Sequence, residues 1–280
     1  MILLGVNVYA PKGDAARRQE NCLRSLRELK NVCLVNLQFK TGAIEAEGFE
    51  TLCELESDSL KVTGKKGAQK PIISEVFDVL ANQARERGCS YFGYLNSDIL
   101  VSNGAIDYAI DRRSQAYLFS RMDFDGETDQ RLGMLLAGID FFIVEARWWI
   151  DNNWRFRPYI AGEPVWDNVY AAILLCHANA ILLNRDPYIL HEHHTQAWVK
   201  SPFAQYTRFL SALDAYYFSL WVKYFEQVSE LRSRNAGEQE EVELQREVFK
   251  WSPSRSERVI QACRNLKARV RYLALSAVEH

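Results

Sequence analysis

Two apolar rhythms run through residues 1 to 200. Ile2 to Tyr9 is a mainly apolar run that ends in the polar loop Pro11-Lys12-Gly13-Asp14, the pattern of a buried strand leaving a sheet. Leu23, Leu26 and Leu29 then recur at helical spacing, and Val32 to Phe39 reads as a second strand. A strand, a helix of a few turns and another buried strand form a βαβ opening, which implies a parallel sheet. After a stretch without clear period, Pro71 leads a helix whose Ile72, Ile73, Val76, Phe77, Val79 and Leu80 share a face. Tyr91 to Leu95 is the next strand and runs directly into Asn96-Ser97-Asp98. Further strands are predicted at Ala116 to Ser120, Gly138 to Val144 and Ala180 to Leu183, with a helix from about Asp167 to His177 between the last two.

At Ser201-Pro202 the rhythm changes to long helical patterns. Tyr206, Phe209, Leu213, Tyr216, Tyr217, Leu220, Trp221 and Tyr224 repeat at core-forming helical spacing. An acidic stretch, Glu238 to Glu247, precedes a basic amphipathic segment with Arg258, Arg264, Lys267, Arg269 and Arg271. These changes divide the chain into an α/β domain over residues 1 to 200 and a helical extension over residues 201 to 280.

With 48% hydrophobic and 25% charged residues, the chain carries enough apolar surface to fold. A formal net charge of −2 supplies no broad positive field, so nucleic acid is not an expected partner and any phosphate must be held locally. No apolar run is long enough to span a bilayer, and Met1-Ile2-Leu3-Leu4-Gly5 is too short for a secretory core. The expected location is cytoplasmic. Six cysteines without a C-x-x-C pair read as free thiols.

Candidate chemistry gathers at strand ends, where open α/β sheets place ligands. Asn96 and Asp98 lie two residues apart on one side of an extended backbone, where both could face one divalent cation. In His191-Glu192-His193-His194, alternation aims His191 and His193 to a common face. Asp123-Phe124-Asp125 precedes Gly126 among polar residues and reads more simply as a turn, so it ranks below the 96–98 segment. Asp167 falls at a helix N-terminus, which favours its ionised form and equally suits a plain cap. Arg17, Arg18 and Lys70 are candidates for phosphate, Lys70 lying beside the start of the Pro71 helix.

The run Tyr91-Phe92-Gly93-Tyr94-Leu95-Asn96-Ser97-Asp98-Ile99 resembles the strand and D-x-D position of GT-A glycosyltransferases, in a variant with Asn at the first acidic place. Gly138 to Ile143, followed by Trp148-Trp149, looks like the family's strand on the acceptor side. Pro158 to Asn168 is similar to its segment with an acid heading a helix beneath the acceptor. The resemblance implies a mixed, mostly parallel sheet flanked by helices, a nucleotide-diphosphate sugar as donor, and a glycan, polysaccharide or lipid-linked hydroxyl as acceptor. It implies Mn²⁺ or Mg²⁺ held by Asp98 and a late histidine: His191, His193 or His194, with His193 favoured. In an inverting enzyme Asp167 or Glu163 would be the base, while Asp140 and Trp148 or Trp149 would position the acceptor. A metal-dependent nucleotide-sugar hydrolase or nucleotidyltransferase needs the same cluster, and Asn96 is the best argument for a catalytically degenerate binding module. The basic C-terminal helix suits either an anionic membrane surface or the acidic stretch before it, and the extension could close the cleft or mediate self-association.

Overall fold

The computed structural model describes residues 1–194 and 201–250, together with Cys263, Leu266 and Lys267. In chain order the elements begin β1 (Ile2–Val6), α1 (Asp14–Arg27), β2 (Val32–Phe39), β3 (Glu50–Leu55), α2 (Ser59–Thr63), α3 (Ile73–Glu86) and β4 (Tyr91–Leu95). They continue with β5 (Ile99–Val101), α4 (Asn103–Asp111), β6 (Ala116–Phe124), β7 (Arg131–Glu145) and α5 (Ala146–Asn152). The rest are α6 (Trp166–His177), β8 (Ala180–Leu183), β9 (Ile189–Glu192), α7 (Ala204–Leu213), α8 (Ala215–Ser233) and α9 (Glu238–Val248). Apart from Lys267, the basic positions noted near the C-terminus lie outside the described residues.

The strands form a sheet in the order β3-β2-β1-β4-β7-β6-β9-β5, with β8 also pairing β6. β1 runs parallel to β2 and β4, as the βαβ opening requires, and β2 runs parallel to β3. β7 lies antiparallel between β4 and β6. Its 15 residues greatly exceed the predicted Gly138 to Val144, because its first half pairs as a hairpin with the end of β6 and is exposed or only half-buried. β3 was hidden in the stretch without period because only Leu52 and Leu55 of its residues are buried. The short β5 and β9 were not separately resolved in the pattern either. β5 has only three residues, and β9 carries the polar His191 and Glu192 among its four, so neither shows the continuous apolar run that marks the equally short β8.

Helices cover both faces of the sheet. α1 and α4 bury Leu23, Leu26, Ala105 and Ile106 against Ile2, Leu4, Tyr117 and Phe141. The opposite face is aromatic. Phe77 of α3 meets Phe92, Tyr94, Phe142, Trp149 and Tyr170 at centroid distances of 5.4, 5.8, 5.8, 4.9 and 5.7 Å, within the range where offset and edge-on ring pairs attract. Trp148 and Trp149 are 6% and 0% exposed, and the Trp149 indole donates to Asp78 at 2.8 Å. They are core residues, so the acceptor role expected of them does not fit their burial.

The residues after Ser201 extend this second face. Phe203, Tyr206, Leu210, Trp221, Tyr224 and Phe249 belong to the same apolar cluster as Phe77 and Trp149. The aromatic repeat from Tyr206 to Tyr224 is divided between α7 and α8, because Asp214 interrupts it. Asp214 is buried, accepts from Arg157 Nε at 2.7 Å and from the Tyr159 hydroxyl at 3.1 Å, and thereby anchors the α7–α8 corner to the segment before α6. Asp214→Ala should leave the buried Tyr159 hydroxyl and the half-buried Arg157 without their acceptor, a loss of about 1–3 kcal/mol. Urea unfolding measures it, and a loss below about 0.5 kcal/mol would assign the corner to apolar packing alone.

Candidate functional site

β9 brings the site together. It lies between β6 and β5, with His191 opposite Asp123 on one side and opposite Ile99 on the other. The Ile99 pairing sets the imidazole beside Asp98, the residue immediately before β5. The Asp98 carboxylate oxygen Oδ2 stands 3.7 Å from His191 Nε2 and 3.3 Å from His194 Nε2, and the two imidazole nitrogens are 3.2 Å apart. One oxygen and two nitrogens therefore converge within 4.8 Å of one another, a donor set that fits a divalent ion. Side chains 96 residues apart in sequence face one point.

His193 does not join them. β9 ends at Glu192, the alternation stops there, and His193 turns to solvent with its side chain 65% exposed and 3.9 Å from Asp123. The chain bends just past the strand, and it is His194 that returns to Asp98. Within β9 the alternation does hold: His191 faces the cluster, while Glu192 faces a cleft of about 470 Å³ lined by Arg17, Arg24, Leu190 and Gly126.

Behind the cluster the charges alternate in sign. His191 Nδ1 meets Asp123 Oδ1 at 2.9 Å, Arg121 Nε donates to the same Asp123 oxygen at 2.9 Å, and Arg121 Nη1 donates to Asp140 Oδ2 at 3.0 Å. Asn96 Nδ2 donates to the other Asp140 oxygen at 3.0 Å. This contact explains the amide at position 96, because an aspartate there would oppose the Asp140 carboxylate. The literal D-x-D segment splits. Asp123 belongs to β6 and the network, whereas Asp125 is the turn residue the sequence suggests, accepting from Glu127 N and Thr128 N at 2.9 and 2.8 Å.

Burial opposes charge on Asp98, but hydrogen bonds from His191 and His194 outweigh it and hold the carboxyl far below the usual carboxylate range. Burial likewise disfavours protonated His191, yet Asp123 and Asp98 raise its pKa to about 8. Asp167 is different. Burial of its carboxyl and then the nearby Asp140 push its pKa up to about 7, against a stabilising hydrogen bond from Ile139 N at 3.3 Å. Val165, two residues before it, holds a left-handed backbone at φ 82°, a strained conformation for a β-branched residue that helps aim the start of α6.

Other expected residues have partners of their own. Lys70 Nζ pairs with Glu163 at 2.7 Å, and the Ser201 hydroxyl donates to the same Glu163 oxygen at 2.7 Å, joining the start of the helical extension to the α/β core. Arg17 grips Glu192 through two bonds of 2.8 and 2.5 Å, with Arg18 at 3.9 Å. Gly126 leaves room for that carboxylate, since a Cβ there would meet its Cδ at 2.4 Å. Tyr9, unremarked in the sequence, is 51% exposed just beyond β1 and near enough for Asp98 to raise its pKa further after burial. Gln19 fixes its backbone, accepting from Tyr9 N at 3.3 Å and donating to Tyr9 O at 3.0 Å. The only sequence signal for Tyr9 was its place at the carboxyl end of a buried strand.

No family profile matches the sequence, and no curated protein matches it. Among solved structures, S. aureus TarS 1-349 in complex with UDP-GlcNAc aligns with a TM-score of 0.50 at 13% identity, covering 76% of this chain and 66% of that one. The chain has the GT-A fold. Full S. aureus TarS gives a TM-score of 0.48 at 11% identity over 76% of this chain and 39% of that one. The glycosyltransferase GlyE of Streptococcus pneumoniae TIGR4 gives 0.38 at 14% identity over 71% and 56%. At these identities the likeness is one of fold, and this GT-A chain spans just under two thirds of the length of TarS 1-349.

Two stability measurements probe the charge arrangement. Asn96→Asp in metal-free protein should cost about 1–3 kcal/mol near neutral pH by opposing two carboxylates. The new acid's folded pKa would be raised, so the cost should shrink as pH falls toward 4 and protonates it; a cost independent of pH would exclude charge repulsion as its origin. Asp167 in the wild type has the same sign. The native state holds its proton more tightly than the unfolded chain, so this residue's contribution lowers stability as pH rises from about 4 to about 7 and is flat above. Asp167→Asn should remove that slope from paired urea titrations.

Proposed function

We propose that this chain is a metal-dependent glycosyltransferase that moves a sugar from a nucleoside-diphosphate donor to a hydroxyl acceptor. The observation carrying this reading is the convergence of Asp98, His191 and His194 beyond the carboxyl end of β4 in a GT-A fold. Two imidazoles and one carboxylate favour a transition ion such as Mn²⁺ over Mg²⁺. When bound, such an ion neutralises charge on the departing diphosphate.

The chain's own residues supply the remaining parts. Tyr9 offers an exposed ring near Asp98 on which a donor base can stack. Arg17 and Arg18, at the start of α1, bring positive charge to the same end of the sheet, tempered by Glu192. Asp140, held by Asn96 and Arg121, presents a fixed carboxylate for sugar or acceptor hydroxyls. Asp167 is the proposed base of an inverting reaction: its carboxylate takes the acceptor hydroxyl proton, the acceptor oxygen bonds to the anomeric carbon, and the bond from that carbon to the diphosphate oxygen breaks. A pKa near 7 suits that task at neutral pH. Glu163, paired with Lys70 and Ser201, is the weaker candidate and reads better as a tie between segments. TarS is complexed with UDP-GlcNAc, which makes uridine diphosphate and its sugars the first ligands to try. Among the described residues no helix is long and apolar enough to cross a membrane.

A thermal-shift series across nucleoside diphosphates, with Mn²⁺ or with chelator, tests the reading because a ligand specific for the native state raises its apparent stability. Wild type should show a diphosphate shift that requires Mn²⁺, Asp98→Ala should lose it, and Asp125→Ala should keep it. Asp167→Asn should retain the shift while lowering transfer roughly 10²- to 10⁴-fold, the usual contribution of a general base. Metal-independent shifts in wild type, or donor cleavage with water as the only acceptor, would reject the proposed transferase.

A further inference from the structure

We infer that Asp123 is a positioning residue that locks the His191 ring with its proton on Nδ1, so that Nε2 presents a lone pair to the cation. This rests on the metal reading above and adds a residue outside the three-ligand cluster. The geometry is specific. Asp123 and His191 are register partners on parallel strands β6 and β9, which places both side chains on one face. The 2.9 Å contact is made by His191 Nδ1, leaving Nε2, the nitrogen 3.7 Å from Asp98 and 3.2 Å from His194 Nε2, directed into the cluster. An ionised Asp123 can only accept, so the proton of a neutral ring is drawn to Nδ1. A carboxylate behind a ligating imidazole fixes its tautomer and orientation and makes the other nitrogen a better donor.

Arg121 holds Asp123 in turn. Its guanidinium, with the side chain 13% exposed, spans Asp123 at 2.9 Å and Asp140 at 3.0 Å. The fork sets the carboxylate's rotation, so that the same Oδ1 lies 2.9 Å from His191 Nδ1. Positive charge on Arg121 also keeps Asp123 from acting as a fourth, competing anion toward the ion. The residue of the literal D-x-D segment nearest the site thus acts through His191 and does not ligate.

Two readouts test this apart from activity. Manganese binding, followed by the free-ion electron paramagnetic resonance signal, should weaken roughly 10- to 100-fold in Asp123→Ala, the usual effect of removing such a partner. Asp123→Asn should lose less, because its carbonyl oxygen can still accept the Nδ1 proton. Unchanged affinity in Asp123→Ala overturns the inference, whereas a wild-type protein that binds no Mn²⁺ overturns the metal reading itself. The second readout is long-range proton–nitrogen NMR of His191 in metal-free wild type, recorded well above the pH at which the ring becomes neutral. The proton should reside on Nδ1, and in Asp123→Ala this preference should fall away while the protein still melts cooperatively. A wild-type ring protonated at Nε2 rejects the inference even if the alanine variant fails to fold.

Discussion

The site depends on the register of one four-residue strand. β9 inserts between β6 and β5 so that His191 has Asp123 on one flank and the Asp98–Ile99 corner on the other. Because side chains alternate strictly along a strand, a slip of one residue would turn His191 away and bring Leu190 or Glu192 to the cluster. The register is held by buried Ile189 on the core side and by Glu192 on the opposite face, where Arg17 grips it with two hydrogen bonds. Arg17 thus contributes to the cluster without touching it.

Electrostatic order follows from that placement. Asp140, Arg121, Asp123, His191 and Asp98 alternate acid, base, acid, base and acid through contacts of 2.9 to 3.7 Å. Partly buried charges are tolerable in such a series because each is compensated by a neighbour. Asn96 closes the end beside Asp140 with a neutral donor. Asp167 lies just beyond the compensated series, where burial and then the nearby Asp140 hold its proton more tightly. Two residues of the same type thereby acquire opposite shifts, Asp167 upward and Asp98 downward.

The aromatic face of the sheet supports this arrangement from below. α3, α5 and α6 pack Phe77, Trp149 and Tyr170 into one cluster that continues into α7, α8 and α9. α6 carries Asp167 on its first turn, so the packing of Tyr170 and Val169 sets where that carboxyl stands. Asp214 and Glu163 join the helical extension to the segments just before α6 through Arg157, Tyr159, Lys70 and Ser201. The extension therefore braces the part of the core that aims the proposed base.

Local pattern alone determined the strands Val32–Phe39, Tyr91–Leu95 and Ala180–Leu183, the parallel opening, and the polar cluster at the end of β4. Continuous apolar runs and helical periods are properties of neighbouring residues and survive without tertiary knowledge. Asp98 was legible for the same reason, since it follows a predicted strand, whereas His191 stood out only through the two histidines beside it and the sequence favoured His193. Only the tertiary structure decided that His194 and not His193 completes the cluster, because the bend after Glu192 has no periodic signature. The same holds for Asp123 and Arg121, whose roles come from pairing with a strand far along the chain. It holds for Asp167 as well: its raised pKa comes from burial and from Asp140, a residue distant in sequence, so no local window contains the cause.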